Sequence, residues 1–157
     1  MVTIDLITGF LGSGKTTFLK KYAEYLMDQG LHIGILENDF GAINVDMLML
    51  HELRGDQCEL EMIAGGCDAE SHRRRFRTKL ISMRMCGYDR VLVEPSGIYD
   101  VDEFFDVLRE EPLDQWYEIG NVIAILDARL ENNLSQQADY LLAVSYTHLT
   151  LPTKLEV

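Results

Sequence analysis

The sequence predicts an α/β fold, a mostly parallel sheet with helices on both faces. Three observations predict it. Apolar, β-type runs alternate with helix-length segments from the first residues onward. Two of those runs, Arg90-Val91-Leu92-Val93-Glu94 and Val122-Ile123-Ala124-Ile125-Leu126-Asp127, are nearly continuous in apolar residues, as strands buried on both faces of a parallel sheet must be. Between the first strand and the first helix stands Gly9-Phe10-Leu11-Gly12-Ser13-Gly14-Lys15-Thr16-Thr17, with the spacing G-x-x-x-x-G-K-[ST] of a phosphate-binding P-loop.

The first strand is expected over residues 2–8 and the first helix over about 14–29, with Phe18, Tyr22 and Leu26 at helical spacing and Gly30 as its C-terminal stop. A second strand follows at 32–37. This strand–helix–strand order implies a right-handed parallel crossover. A short helix is expected over Leu48 to Leu53, then Cys58 to Ile63 as a short strand or the arm of a hairpin. The next helix opens near Gly65-Gly66-Cys67, places Phe76, Leu80 and Met83 on one face and ends by Gly87. A strand over 90–94, a helix over about 101–110 stopped by Glu111-Pro112, and a strand over 121–128 follow. A helical piece at Leu134 to Ala138 and the start of another strand at Tyr140 complete the pattern.

The expected organisation is one nucleotide-binding domain over 1–144. Residues 145–157, Ser145 to Val157, lack periodicity, resemble translated adapter sequence, and are read as a non-native tail that leaves the sheet incomplete at its C-terminus.

Composition narrows the function. Of 157 residues, 47% are hydrophobic and 25% charged, ordinary for a globular domain. The net charge of −12 argues against a nucleic-acid partner, which needs a basic footprint. No apolar run approaches the roughly 18–20 residues of a transmembrane helix, and no signal peptide or membrane partner is expected. Three cysteines, few and odd in number, fit a reduced, cytoplasmic setting.

The candidate site is built from three segments. In the P-loop, Gly9, Gly12, Ser13 and Gly14 let backbone N–H groups turn inward around phosphate oxygens, and the helix that begins there adds its positive end. Lys15 brings a charge to the β- and γ-phosphates; Thr16 offers a hydroxyl to Mg²⁺, with Thr17 beside it. The polar segment Asn38-Asp39-Phe40-Gly41 to Asp46 leaves the end of a strand, the edge where open parallel sheets bind ligands. Asp39 and Glu37 are candidates to face Mg²⁺ or its waters. Glu94, at the tip of a buried strand and followed by Pro95-Ser96-Gly97, can hold a Mg²⁺-bound water, while the Gly97 N–H senses the γ-phosphate. Arg73, Arg74, Arg75 and Arg77 cover several faces of one helix, either as a solvated face paired with acids or as an anion contact.

On the P-loop, Asn38-Asp39-Phe40-Gly41 with Asp46, and Glu94-Pro95-Ser96-Gly97, residues 2–144 resemble the CobW/HypB/UreG family of P-loop GTPases, most closely its CobW branch. The resemblance implies a P-loop NTPase fold and slow GTP hydrolysis coupled to insertion or delivery of a metal ion or metallocofactor. It implies Lys15, Asp39 and Glu94 in catalysis, and Gly9, Gly12, Ser13, Gly14, Lys15, Thr16, Thr17 and Gly97 around the nucleotide. Thr16, Asp39 and Glu94 would serve Mg²⁺. Guanine nucleotide, a metal ion, a client metalloprotein and a nucleotide-dependent homodimer are the implied partners.

Two departures qualify it. The branch's Gly-Cys-x-Cys-Cys metal motif is here Gly66-Cys67-Asp68-Ala69-Glu70, leaving Cys67, Glu70 and His72 (with Asp68) as a mixed set for Zn²⁺ or another transition metal, or Cys67 as a packed apolar residue with no metal. Cys58 is a further candidate from a neighbouring strand. The guanine-reading motif Asn-Lys-x-Asp is replaced by Val144-Ser145-Tyr146-Thr147. The alternatives are a P-loop small-molecule kinase, with the arginine cluster as its lid, and a nucleotide-binding module without catalysis.

Overall fold

The structure, a computed structural model, describes residues 1–9, 14–39, 49–64, 68–94 and 101–126. Its strands are β1 (Val2–Gly9), β2 (Ile33–Asp39), β3 (Cys58–Ala64), β4 (Arg90–Glu94) and β5 (Tyr117–Ile125); its helices are α1 (Lys15–Asp28), α2 (Ala69–Arg84), α3 (Val101–Leu108) and the short α4 (Leu113–Trp116). The strands form one sheet in the order β3-β2-β4-β1-β5, every strand pair parallel. The expected helical piece at 134–138, the strand from Tyr140 and the proposed tail lie outside the described residues.

The apolar residues divide between two layers. Ile7, Ile33, Ile35 and Leu92 pack with Leu19, Ala23 and Leu26 of α1. Ile4, Leu6, Leu36, Val91 and Val93 pack on the other face with Phe76, Leu80 and Met83 of α2 and Phe104, Phe105 and Leu108 of α3. Successive strand residues point to opposite faces, so β1 and β4 must be apolar on both sides. α1 stops where its sequence says it should. Gly30 takes φ +81°. Its N–H bonds to the Met27 carbonyl at 2.9 Å and that of Leu31 to the Leu26 carbonyl at 3.3 Å, satisfying the last carbonyls of the helix. Asp68 caps the start of α2, its Oδ1 accepting from the Ser71 N–H at 2.7 Å. That bond holds the Asp68 carboxyl below its ordinary range.

Two elements differ from expectation. Residues 58–64 are not a hairpin arm: β3 runs parallel to β2 in the register Ile33↔Cys58 to Asp39↔Ala64. β5 begins at Tyr117, four residues earlier than the sequence suggests, because Gly120-Asn121 is a bulge inside the strand and not its boundary. β1 pairs Ile4↔Ile119 and then Leu6↔Val122, so the register slips beside Asp5.

The slip serves a buried carboxylate. Asp5 is fully buried in mid-strand. Its Oδ2 accepts from Arg90 Nε at 2.5 Å and Tyr22 Oη at 2.8 Å; its Oδ1 accepts from Arg90 Nη2 at 2.9 Å and the Asn121 backbone N–H at 2.6 Å. The bulge turns that N–H toward Asp5, and position 120 must be glycine because a Cβ there would lie 2.3 Å from Asp5 Oδ1 and 2.6 Å from Thr3 Cγ2. Burial pushes the Tyr22 hydroxyl up to about 12, and the Asp5 carboxylate raises the Arg90 guanidinium above its ordinary value. One node thus ties β1, β4, β5 and α1 together.

Candidate functional site

Because the strands are parallel, their C-terminal ends share one edge, and Gly9, Asp39 and Glu94, the strand ends that lead into the predicted segments, lie along it. β1 ends at Gly9, φ +144°, and α1 starts after Gly14, φ +93°. Both values lie where side-chain-bearing residues are strained, which explains why the loop needs glycine at these two positions. Among the described residues no side chain caps the start of α1, and its first turn holds no acid. The free N–H groups and the positive helix end therefore remain available to an anion.

Lys15 and Thr16, the first two residues of the helix, are each 8% exposed, while Thr17 faces solvent. Lys15 Nζ stands 3.8 Å from Glu94 Oε1, too far for a hydrogen bond and close enough for an ion pair. The other carboxylate oxygen, Glu94 Oε2, is buried without a hydrogen-bond partner among the described residues. An acid held this way, 12% exposed and half-satisfied beside a lysine, suits a cation or its waters.

Glu37 is the register partner of Glu94 on the neighbouring strand, so the two carboxylates stand side by side on the α1 face. Asp39 is the last residue of β2 and pairs with Ala64; the position of its side chain lies outside the described residues, as do Gly12, Ser13, Cys67 and Gly97. The sequence offers Asp39 and Glu37 as equal candidates; strand register, which no local pattern reveals, sets Glu37 next to Glu94.

The metal candidates separate. Glu70 is exposed and pairs across one helical turn with Arg74 at 3.8 Å. His72, two residues on, is buried, its Nδ1 facing Glu103 of α3 at 3.0 and 3.2 Å. The described structure does not bring Glu70 and His72 together. Cys58 sits at the start of β3, roughly 20 Å from its C-terminal end at 3.3 Å per residue, so it is not part of the site. Burial also pushes its thiol up to about 11, away from the thiolate a metal needs. A separate cluster of Glu59, Glu61 and Cys86 already has partners, Glu59 with the Tyr88 hydroxyl and Glu61 with Lys79. The arginine cluster is a paired face: Arg73 and Arg77 meet Glu110, Arg77 also donates to the Glu111 carbonyl, and Arg74 meets Glu70.

A parallel five-stranded sheet, a glycine loop opening a helix and a lysine beside a strand-end carboxylate define a nucleotide-binding domain of the P-loop type. Comparison agrees. A de novo designed protein of P-loop NTPase fold superposes with a TM-score of 0.51 at 13% identity, over 95% of this chain and 92% of the design. The chain matches the family profile described as CobW/HypB/UreG, nucleotide-binding domain, over residues 3–152, and it belongs to that family. The match runs past residue 144, the boundary expected from sequence. Among relatives, the chain is 30% identical to the zinc chaperone YjiA of Escherichia coli (strain K12), over 99% of this chain and 50% of that protein. It is 31% identical to the zinc chaperone YeiR of the same organism, over 83% of this chain and 39% of that protein. The chain thus spans half or less of the length of these relatives. Among the described residues, no helix is long and apolar enough to cross a membrane.

Proposed function

We propose that this chain binds GTP with Mg²⁺ at the β1–α1 loop, hydrolyses it, and uses the cycle to deliver a transition metal, zinc foremost, to a client metalloprotein. The observation that carries the reading is the convergence of Lys15, the uncapped start of α1 and the half-satisfied Glu94 at one sheet edge. Family membership supports GTP as the nucleotide, and the two relatives' designation as zinc chaperones supports zinc as cargo.

Lys15 and the loop N–H groups hold and neutralise the β- and γ-phosphates. Thr16 and Glu94, with Asp39 or Glu37, would hold Mg²⁺, which would supply charge to offset that of the phosphates. A water oxygen attacks the γ-phosphorus in line. The bond to the β–γ bridging oxygen breaks, and GDP and inorganic phosphate leave. Loss of the γ-phosphate would then remove the phosphate contacts that family membership implies for segments 38–46 and 94–100, which flank the cargo segment 67–72 in the chain. Cys67, with the polar side chains that follow it, is the proposed cargo donor, and a nucleotide-dependent homodimer belongs to the same proposal. The pairing of Arg73 and Arg77 with Glu110 does not favour the kinase reading, which needs a free basic lid.

Phosphate release tests it. With Mg²⁺, GTP is expected to give slow release of inorganic phosphate into water, with Glu94→Gln at least about tenfold slower. Phosphate appearing on an acceptor, with ATP preferred, would transfer the domain to the kinase class. Tight nucleotide binding without turnover would make it a binding module.

A further inference from the structure

The sequence gives no reason to single out Glu103, yet it meets the one buried histidine among the described residues. His72 lies in the first turns of α2 and Glu103 in the first turn of α3, and Nδ1 faces both carboxylate oxygens at 3.0 and 3.2 Å. An Nδ1 between two acceptor oxygens must carry the hydrogen, so the ring donates and the carboxylate accepts. The pair is 5% and 15% exposed, where such a bond is little screened by water. Its place in the chain gives it meaning. α2 begins directly after the segment holding Cys67, and α3 directly after the segment holding Gly97. Farther along, Phe76 stacks on Phe104 with centroids 6.3 Å apart, and Arg77 meets Glu110 and the Glu111 carbonyl. Phe76–Phe104 thus packs α2 on the first turn of α3, Arg77 ties α2 to the turn that follows α3, and His72–Glu103 joins the two helices at the turns nearest both segments.

We propose that the His72–Glu103 pair is the contact through which cargo metal and nucleotide sense each other. This rests on the function proposed above. Both residues are positioning residues: a shift of the α3 start on γ-phosphate loss is passed to the α2 start, and a shift on metal binding returns by the same contact.

The experiment titrates zinc against a chromophoric chelator, with and without a non-hydrolysable GTP analogue, on the full chain. In the wild type the analogue is expected to change zinc affinity by about tenfold. In Glu103→Ala that factor should fall to within about twofold of unity. Glu103→Leu, which fills similar space without an acceptor, should behave alike and serves if the alanine variant folds poorly. Glu103→Gln keeps an acceptor oxygen and should retain most of the coupling. Arg77→Ala, which loses an α2 contact away from both first turns, should retain all of it; equal loss there would reduce the pair to general packing and overturn the assignment. Full coupling in Glu103→Ala or Glu103→Leu overturns it while leaving the proposed function intact. Equal zinc affinity in both nucleotide states of the wild type removes any coupling for the pair to carry, and no zinc binding at all overturns pair and function together.

Discussion

Lys15→Ala is expected to weaken binding of GTP with Mg²⁺ by about a hundredfold and to leave cooperative unfolding in place. A hydrogen bond to a charged group contributes about 1.5–3 kcal/mol, and about 1.4 kcal/mol is a factor of ten in affinity. Lys15 sits toward the upper part of that range because it is 8% exposed at the positive end of a helix with no acid in its first turn. The fold loses little, since among the described residues the lysine makes only a 3.8 Å ion pair with Glu94. Lys15→Arg is not expected to restore binding, because a planar fork cannot take the place of a compact ammonium in a tight loop. Titration with a fluorescent GTP analogue, beside a thermal melt, reads both quantities. Wild-type affinity in the alanine variant would refute the phosphate role, and loss of the folded state would make the lysine structural.

Arg90→Ala is expected to destabilise the domain by about 3 kcal/mol, the low end of the cost of breaking a buried pair by removing one partner. The low end applies because the arginine side chain is 20% exposed and Asp5 keeps two neutral donors, Tyr22 and Asn121. What remains is a carboxylate at 0% exposure with no cation beside it. Arg90→Lys should fall between wild type and alanine, holding the charge but losing the two-pronged contact with both oxygens. Urea unfolding reads the difference from a shifted midpoint at unchanged slope. A loss below about 1 kcal/mol would mean the node is not what ties β1, β4, β5 and α1 together.

The two predictions mark what the sequence could and could not reveal. The glycine loop was legible because its chemistry is local: φ at Gly9 and Gly14 and a lysine and threonine at fixed spacing follow from chain order. The buried strands and the apolar faces of α1 and α2 were legible from periodicity. The Asp5 node left only a trace, a charged residue inside an apolar strand, and its partners come from positions 22, 90 and 121. Gly120-Asn121 reads locally as a break, which delayed the start of β5 and hid α4. Register was illegible throughout. It decides that Glu37 stands beside Glu94, and that Cys58 begins β3 at the end of the sheet away from the loop. His72 read as a metal candidate because nothing in sequence ties it to a glutamate on another helix.

In the proposed cycle one small domain makes nucleotide and metal depend on each other. The most direct test is the affinity of a non-hydrolysable GTP analogue, measured with and without saturating zinc. Linkage requires zinc to change that affinity by the same factor by which the analogue changes zinc affinity, about tenfold. Equal factors in the two directions are the predicted result; nucleotide affinity indifferent to zinc would contradict the account.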